Sequence, residues 1–319
     1  MLLSVKNLTA YFFLDEGVLK AVDGVSFDVD EAKTVALVGE SGCGKTIVAL
    51  SLIKLVPSPG RIVEGSVLLN GEDLLQVGDE RLRGIRGGQI GMIFQEPGAA
   101  LNPVFPIGHQ IGEVLRTHRG LGMHESEVEA VRLLGEMGIP EPERRAKAYP
   151  FEFSGGMQQR AVIAIAISGR PKLLIADEPT TALDVTVQAE ILDLLLYLQE
   201  QYKMAILLIT HDMGVVAETA DSVMVMYTGK IIEIALTKEL FGDPKHPYTQ
   251  GLLKSVPRLG AGHEEPLTGI PGAVPDFLNL PSGCTFHPRC PIGDASCRTD
   301  FPPLEDIAYD RKCACYKVK

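Results

Sequence analysis

The sequence reads as an α/β protein in which short apolar strands alternate with helices, flanked by an antiparallel β region and a loop-rich, cysteine-bearing C-terminal stretch. Three observations carry that reading. Thr34-Val35-Ala36-Leu37-Val38 has the unbroken apolar character of a strand buried on both faces and ends on a glycine. The glycine-rich segment Gly39–Thr46 follows at once and leads into helical spacing from Lys45. Two further apolar runs, Leu173–Ala176 and Ala205–Ile209, stand either side of a helical pattern around Val187–Gln201, the alternation of a parallel sheet with crossover helices.

The remaining elements follow in order. Val18–Asp30 alternates loosely, with Val22, Val25, Phe27 and Val29 as β-formers and Asp23-Gly24 as a turn. The helix opening at Lys45 should stop near Leu55, ahead of Pro57 and Pro59. Gly65–Leu74 is β-rich, with Asn70-Gly71 as its hairpin signal, and Ile90–Phe94 is another buried strand. From about Pro103 to Arg170 the spacing turns helical, with loops at Gly120, Gly122 and Pro140 to Pro142. Ser222–Tyr227 resembles a further strand. Past Phe241 periodicity fades, and prolines and glycines become dense from Gly260 to Pro303. Such a tail has too few aliphatic residues for a core of its own, so it needs either docking or a staple.

Composition narrows the function. The chain has 319 residues, enough for about two folding units. Its 30 basic and 41 acidic residues give a net charge of −11, which argues against a protein held to nucleic acid by bulk electrostatics. No window reaches the ~18 uninterrupted apolar residues of a membrane-spanning helix; Ala161–Ala176 comes nearest and is broken by Arg170, Pro171 and Lys172. The first residues lack the basic start, apolar run and cleavage site of a signal peptide, so a cytosolic setting is expected. Cys43 stands alone, whereas Cys284, Cys290, Cys297, Cys313 and Cys315 crowd into the last 36 residues. In a reducing compartment such a cluster reads as metal ligation rather than a disulfide framework.

Gly39-Glu40-Ser41-Gly42-Cys43-Gly44-Lys45-Thr46 satisfies the phosphate-loop pattern, after a strand and before a helix. Its glycines let successive N–H groups turn toward phosphate oxygens, and the helix N-terminus adds partial positive charge. Lys45 would reach the β- and γ-phosphates and Thr46 would offer its hydroxyl to Mg²⁺. Leu173-Leu174-Ile175-Ala176-Asp177-Glu178 places Asp177 at the end of a buried strand, where it would hold Mg²⁺, with Glu178 beside it to orient and deprotonate the attacking water. Ser154-Gly155-Gly156 opens a long apolar helix just upstream, Gln95 lies earlier still, and Thr210-His211-Asp212 ends the next strand.

With these motifs in this order, residues 1–240 resemble the ATP-binding subunits of ABC transporters. The resemblance implies a P-loop, RecA-like ATPase core with an N-terminal antiparallel β subdomain and an inserted helical signature subdomain at about 103–170. It also implies a head-to-tail dimer closing on two ATP molecules, with Ser154, Gly155 and Gly156 reaching the γ-phosphate bound by the opposite subunit. Gln95 would touch Mg²⁺ or the water, His211 would steady the γ-phosphate, and Ala182-Leu183-Asp184 would follow the catalytic Glu178. Phe12 sits at the family's adenine-stacking position, with Tyr11 the other candidate. Met157 replaces the usual Gln of the signature, and Glu31-Ala32 the common Gly-Glu; neither removes a catalytic side chain.

Phe94-Gln95-Glu96-Pro97 with Leu101-Asn102-Pro103, His246-Pro247-Tyr248-Thr249, and Gly283-Cys284-Thr285-Phe286-His287-Pro288-Arg289-Cys290-Pro291 are similar to the dipeptide/oligopeptide (and nickel) importer ATPases. That resemblance makes residues 241–319 the subfamily's C-terminal extension. It implies two membrane-spanning permease subunits, a second ATPase subunit, identical or not, and an extracytoplasmic peptide-binding protein. The chain would then sit peripherally on the cytoplasmic face of the membrane. Nickel or another solute as cargo, and a soluble ABC-type ATPase outside transport, are the alternatives. Cys284, Cys290 and Cys297 are separated by five and six residues, wider than the C-x2–4-C pairs of tight zinc sites. Four thiolates on loop-rich backbone suit a [4Fe–4S] cluster; the resemblance makes Cys315, in Ala314-Cys315-Tyr316, the fourth ligand, with Cys313 as its alternative and unligated thiols as the other reading.

Overall fold

The computed structural model describes residues 1–181, 183–255 and 269–318. Along the chain run β1 (Leu3–Leu14), β2 (Gly17–Val29), β3 (Thr34–Val38), α1 (Lys45–Leu52), β4 (Gly60–Leu69) and β5 (Glu72–Asp73). There follow α2 (Asp79–Ile85), β6 (Ile90–Ile93), α3 (Pro97–Ala100), α4 (Ile107–Arg119), α5 (Met123–Glu136) and α6 (Pro142–Arg145). Next are α7 (Gly155–Ser168), β7 (Leu173–Asp177), α8 (Val185–Tyr202), β8 (Ala205–Thr210), α9 (Met213–Thr219) and β9 (Ser222–Tyr227). The last described elements are β10 (Lys230–Leu236), α10 (Thr237–Gly242), α11 (Pro247–Lys254), β11 (Glu305–Ala308) and β12 (Arg311–Cys313).

These elements form two compact units. The first comprises residues 1–2, 29–33 and 76–208. Its strands lie in the order β8-β7-β6, with β6 and β7 parallel and Ile90 to Ile93 facing Leu173 to Ala176. All five residues of β7 are buried, as the unbroken apolar run requires of a strand covered on both faces. The helices α4, α5 and α7 pack on one another. Ile107, Ile111 and Leu115 repeat at the four-residue spacing that puts them on one face of α4, and all are fully buried. Leu133 and Leu134 of α5 and Ala161, Ile163 and Ala164 of α7 are buried as well.

The second unit comprises residues 3–28, 34–75 and 209–319. One sheet has the order β2-β1-β4-β5, with β1 antiparallel to β4 and the Asn70-Gly71 turn joining β4 to β5. In the other, β3 runs parallel to β9, which pairs antiparallel with β10, and the chain's last two strands continue the ladder through β12 to β11. The tail solves its shortage of aliphatic residues by docking. Tyr248, Phe286 and Ala314 lie in one buried cluster with Ala36, Val38, Val225, Tyr227 and Ile232. Tyr227, Tyr248 and Phe286 meet with ring centroids 4.6 to 5.4 Å apart, mostly edge-on or tilted. The proline- and glycine-rich run from Gly260 begins outside the described residues. Among those residues, no helix is long and apolar enough to cross a membrane.

Candidate nucleotide site

In the second unit, β3 delivers Gly39 into the phosphate loop. A Cβ on Gly39 would stand 2.3 Å from the Met226 carbonyl oxygen, and one on Gly44 (φ 111°) would stand 2.2 Å from that of Ala21. Only glycine fits at these two positions. Lys45, the first residue of α1, is 5% exposed, and its Nζ donates to the carbonyls of Gly39 at 2.8 Å and Glu40 at 3.2 Å. Cys43 is fully buried, its N–H donates to the Glu40 carbonyl at 3.2 Å, and burial pushes its thiol pKa up. Ser41, Gly42 and Thr46 face outward, which leaves the mouth of the loop polar and accessible.

In the first unit, β7 ends on Asp177, 2% exposed, and the next residue leaves the strand in the left-handed region at φ 47°. That residue is Glu178. Backbone of this kind costs a non-glycine side chain about 1 kcal/mol or more and persists where neighbours fix it. Here two donors do so: Gln95 Nε2 and Thr181 Oγ1 each reach Glu178 Oε2 at 2.9 Å. Gln95 is exposed just beyond β6, the parallel neighbour of β7. Thr181 was not singled out from the sequence. The signal for it is its place three residues after Glu178, where its N–H also donates to the Glu178 carbonyl at 3.2 Å.

Ser154 caps α7, its Oγ accepting from the Met157 N–H at 3.4 Å, and the exposed Ser154 and Gly155 form the tip. Gly156 packs against α8, where a Cβ would meet Val187 Cγ1 at 2.9 Å. Asp184 caps α8 by accepting from the Val187 N–H at 3.0 Å. Ala182, between Glu178 and this cap, lies outside the described residues. Gln159 is a second residue the sequence reading missed. It is 1% exposed, and its Nε2 donates to the Pro179 carbonyl at 2.6 Å, tying the serine-led helix to the turn after Glu178.

His211 is exposed at the end of β8, and the adjacent Asp212 caps α9 through the N–H groups of Gly214 and Val215. Of the candidate adenine-stacking residues, Tyr11 donates its hydroxyl to Asp23 Oδ1 at 2.6 Å, with burial and that carboxylate both opposing its ionisation. Phe12 is half-buried, its ring edge against Gly60.

The expected metal ligation by the tail thiols is not drawn together. Among the described residues, no group of three or more His, Cys, Asp or Glu side chains converges as ligands of a metal ion, the set Cys284, Cys290, Cys297 and Cys315 included. All six cysteines are free thiols. The Cys284 N–H donates to the Cys297 carbonyl at 2.9 Å, which pins two of the cysteine-bearing loops together. Burial, and then the neighbouring Cys315, Cys297 and Cys290, push the Cys284 thiol up to about 11. Cys290 and Cys315 are raised by burial and sense their neighbours too. Cys313 is raised by burial and by Glu233, beside which it lies on the ladder, a less suitable setting for a thiolate ligand.

A family model described as "ABC transporter" matches residues 22–181, and one described as "Oligopeptide/dipeptide transporter, C-terminal region" matches residues 232–297. The oligopeptide transport ATP-binding protein AppD of Bacillus subtilis is 49% identical over 99% of this chain and 96% of its own. The dipeptide transport ATP-binding protein DppD of the same organism is 48% identical over 94% of this chain and 90% of its own. Among solved structures, the dimeric post-hydrolysis state of the ATP-binding cassette MJ0796 bound to ADP and Pi superposes with a TM-score of 0.66 at 27% identity, covering 74% of this chain and 98% of that one.

Proposed function

Because the chain belongs to the ABC transporter family, we propose that it is the ATPase that energises uptake of di- and oligopeptides through membrane permease partners. The reading is carried by one conjunction: a phosphate-loop cradle and a Gln95–Glu178 pair stand in a chain whose residues 232–297 match the oligopeptide/dipeptide transporter region. Residues 1–240 serve as the nucleotide-binding part and residues 241–319 as the importer-type extension.

The residues present fit Mg²⁺-ATP. Ser41 and Gly42, exposed at the mouth of the loop, would offer backbone N–H groups to phosphate, and Lys45 supplies a cation already held by two carbonyls; exposed Thr46 in the second unit and buried Asp177 in the first are each hard oxygen donors of the kind suited to Mg²⁺. Bound Mg²⁺ supplies charge neutralisation of the phosphates. Glu178 accepts the proton of the attacking water, and Gln95 and Thr181 hold its carboxylate for that role. His211 steadies the γ-phosphate, and Phe12 or Tyr11 stacks on adenine. The Ser154–Gly156 tip and Asp184 face the nucleotide of a second ATPase subunit. That exposed helix start presents N–H donors and a positive dipole end to an anion.

The donor set of Cys284, Cys290, Cys297 and Cys315 is chemically that of a [4Fe–4S] cluster: four thiols within electrostatic reach of one another, of which Cys297 Sγ donates to Asp294 Oδ1 at 3.8 Å and would have to give up that contact to bind iron. Such a cluster would staple the docked tail. The test of the transport reading is peptide uptake. Cells lacking this chain should fail to take up labelled di- and tripeptides, with uptake restored by the wild-type chain and not by Glu178→Gln. Normal peptide uptake with loss of nickel uptake instead would overturn the peptide assignment.

A further inference from the structure

The docked C-terminal segment reaches the phosphate loop through Glu40. This residue occupies a variable position of the loop pattern, yet both its backbone and its side chain are held by residues of the extension. Its N–H donates to the Tyr248 hydroxyl at 2.9 Å. Its carboxylate receives a two-pronged bond from Arg289, Nη1 to Oε2 at 2.8 Å and Nη2 to Oε1 at 3.0 Å. The Arg289 side chain is only 4% exposed and every nitrogen is used. Nε donates to the Pro271 carbonyl at 3.0 Å, Nη1 also to the Tyr227 hydroxyl at 3.3 Å, and Nη2 also to the Ile270 carbonyl at 3.4 Å. A lysine has no such planar fork.

The consequence follows from the geometry of one peptide unit. The Gly39 carbonyl and the Glu40 N–H belong to the same rigid plane and point in opposite directions. Tyr248 holds the N–H end, so the C=O end is aimed at Lys45 Nζ, 2.8 Å away. The next carbonyl, that of Glu40, takes both Lys45 Nζ and the Cys43 N–H at 3.2 Å, and its side chain is the one Arg289 clamps. Tyr248 cannot drift, being fully buried against Tyr227 and Phe286.

We propose that Tyr248 and Arg289 are positioning residues for nucleotide binding: acting through Glu40, they hold the loop carbonyls that place the Lys45 ammonium for the phosphates. This rests on the reading of Gly39–Thr46 as the phosphate cradle. It makes the oligopeptide-type extension part of the ATP site's support, so that the state of the cysteine-bearing segment around Arg289 is felt at Lys45.

The full-length protein tests this by equilibrium ATP binding and steady-state ATPase of Tyr248→Phe, Arg289→Lys, the double variant and Lys45→Ala. Tyr248→Phe removes only the acceptor, and Arg289→Lys keeps the charge without the fork. Each should weaken ATP binding and raise KM by about tenfold, the equivalent of roughly one buried hydrogen bond left unmade, with kcat within about twofold. The double variant should lose little more than the worse single, since both act through Glu40. Wild-type ATP affinity in both single variants, with Lys45→Ala clearly weakened, would overturn this inference alone. A loss of thermal stability with unchanged KM, or fully additive losses, would overturn it too. Wild-type affinity in Lys45→Ala would overturn the cradle reading beneath it.

Discussion

Gln95 and Glu178 share a hydrogen bond of 2.9 Å, the amide Nε2 of one donating to Oε2 of the other, just beyond the ends of the parallel strands β6 and β7. Adjacent parallel strands carry their C-terminal ends to the same edge of a sheet, where open α/β folds build their sites. A glutamine there fixes the rotamer of Glu178, the proposed base, by donating to its carboxylate.

Gln95→Ala should therefore lower kcat by about tenfold, as expected for a positioning bond, while ATP affinity stays within about twofold. Parallel measurement of kcat and nucleotide Kd checks it. An unchanged kcat would mean that Thr181 alone holds Glu178.

The docked extension should be acid-sensitive through His246. The residue is 1% exposed, its Nδ1 accepts from the Tyr248 N–H at 3.0 Å, and burial pulls its pKa down to about 3. Glu233 accepts from the backbone N–H of His246 at 2.8 Å, and Arg311 lies 3.7 Å from the same carboxylate, so that carboxylate already has a cationic partner. The unfolded chain binds the imidazole proton below about 6.5 and the folded chain only below about 3. This group's contribution is full above about pH 6.5 and falls away between there and pH 3, by at most about 1.4 kcal/mol per pH unit. His246→Asn keeps a side-chain cap and removes the titration. Denaturant melts at several pH values should show a shallower acid loss in the variant, by about one proton; identical slopes would contradict the assignment.

Anaerobically purified protein should be brown and contain iron, with thiolate-to-iron absorption, and Cys290→Ser should lose both. Colourless, iron-free protein would leave the tail held by its aromatic cluster, the β10–β12 ladder and the Arg289–Glu40 fork, without a metal staple.

Much of this architecture was legible in the residues. The apolar runs that became β3, β7, β8 and β9 are buried on both faces, a condition that leaves a plain mark in composition. The Asn70-Gly71 turn and the serine cap of α7 are local chemistry and were read directly. What escaped was non-local. β12 is three residues long and exists because β10, far away in sequence, offers it a ladder. Gln159 and Thr181 look like ordinary helix and turn residues until the fold sets their amide and hydroxyl against the backbone and carboxylate around Glu178. The Arg289–Glu40 fork joins positions 249 residues apart, and no spacing rule announces it. The thiols of the tail were visible as a group, but their arrangement depends on how the loops dock.

Hydrolysis by Glu178→Gln is the decisive measurement. The amide keeps the shape of the side chain and its contact with Gln95 and Thr181 while removing the proton acceptor. ATP should remain bound at close to wild-type affinity, and turnover should fall by at least ~10², the usual worth of a general base. Wild-type turnover in this variant would remove Glu178 from the chemistry.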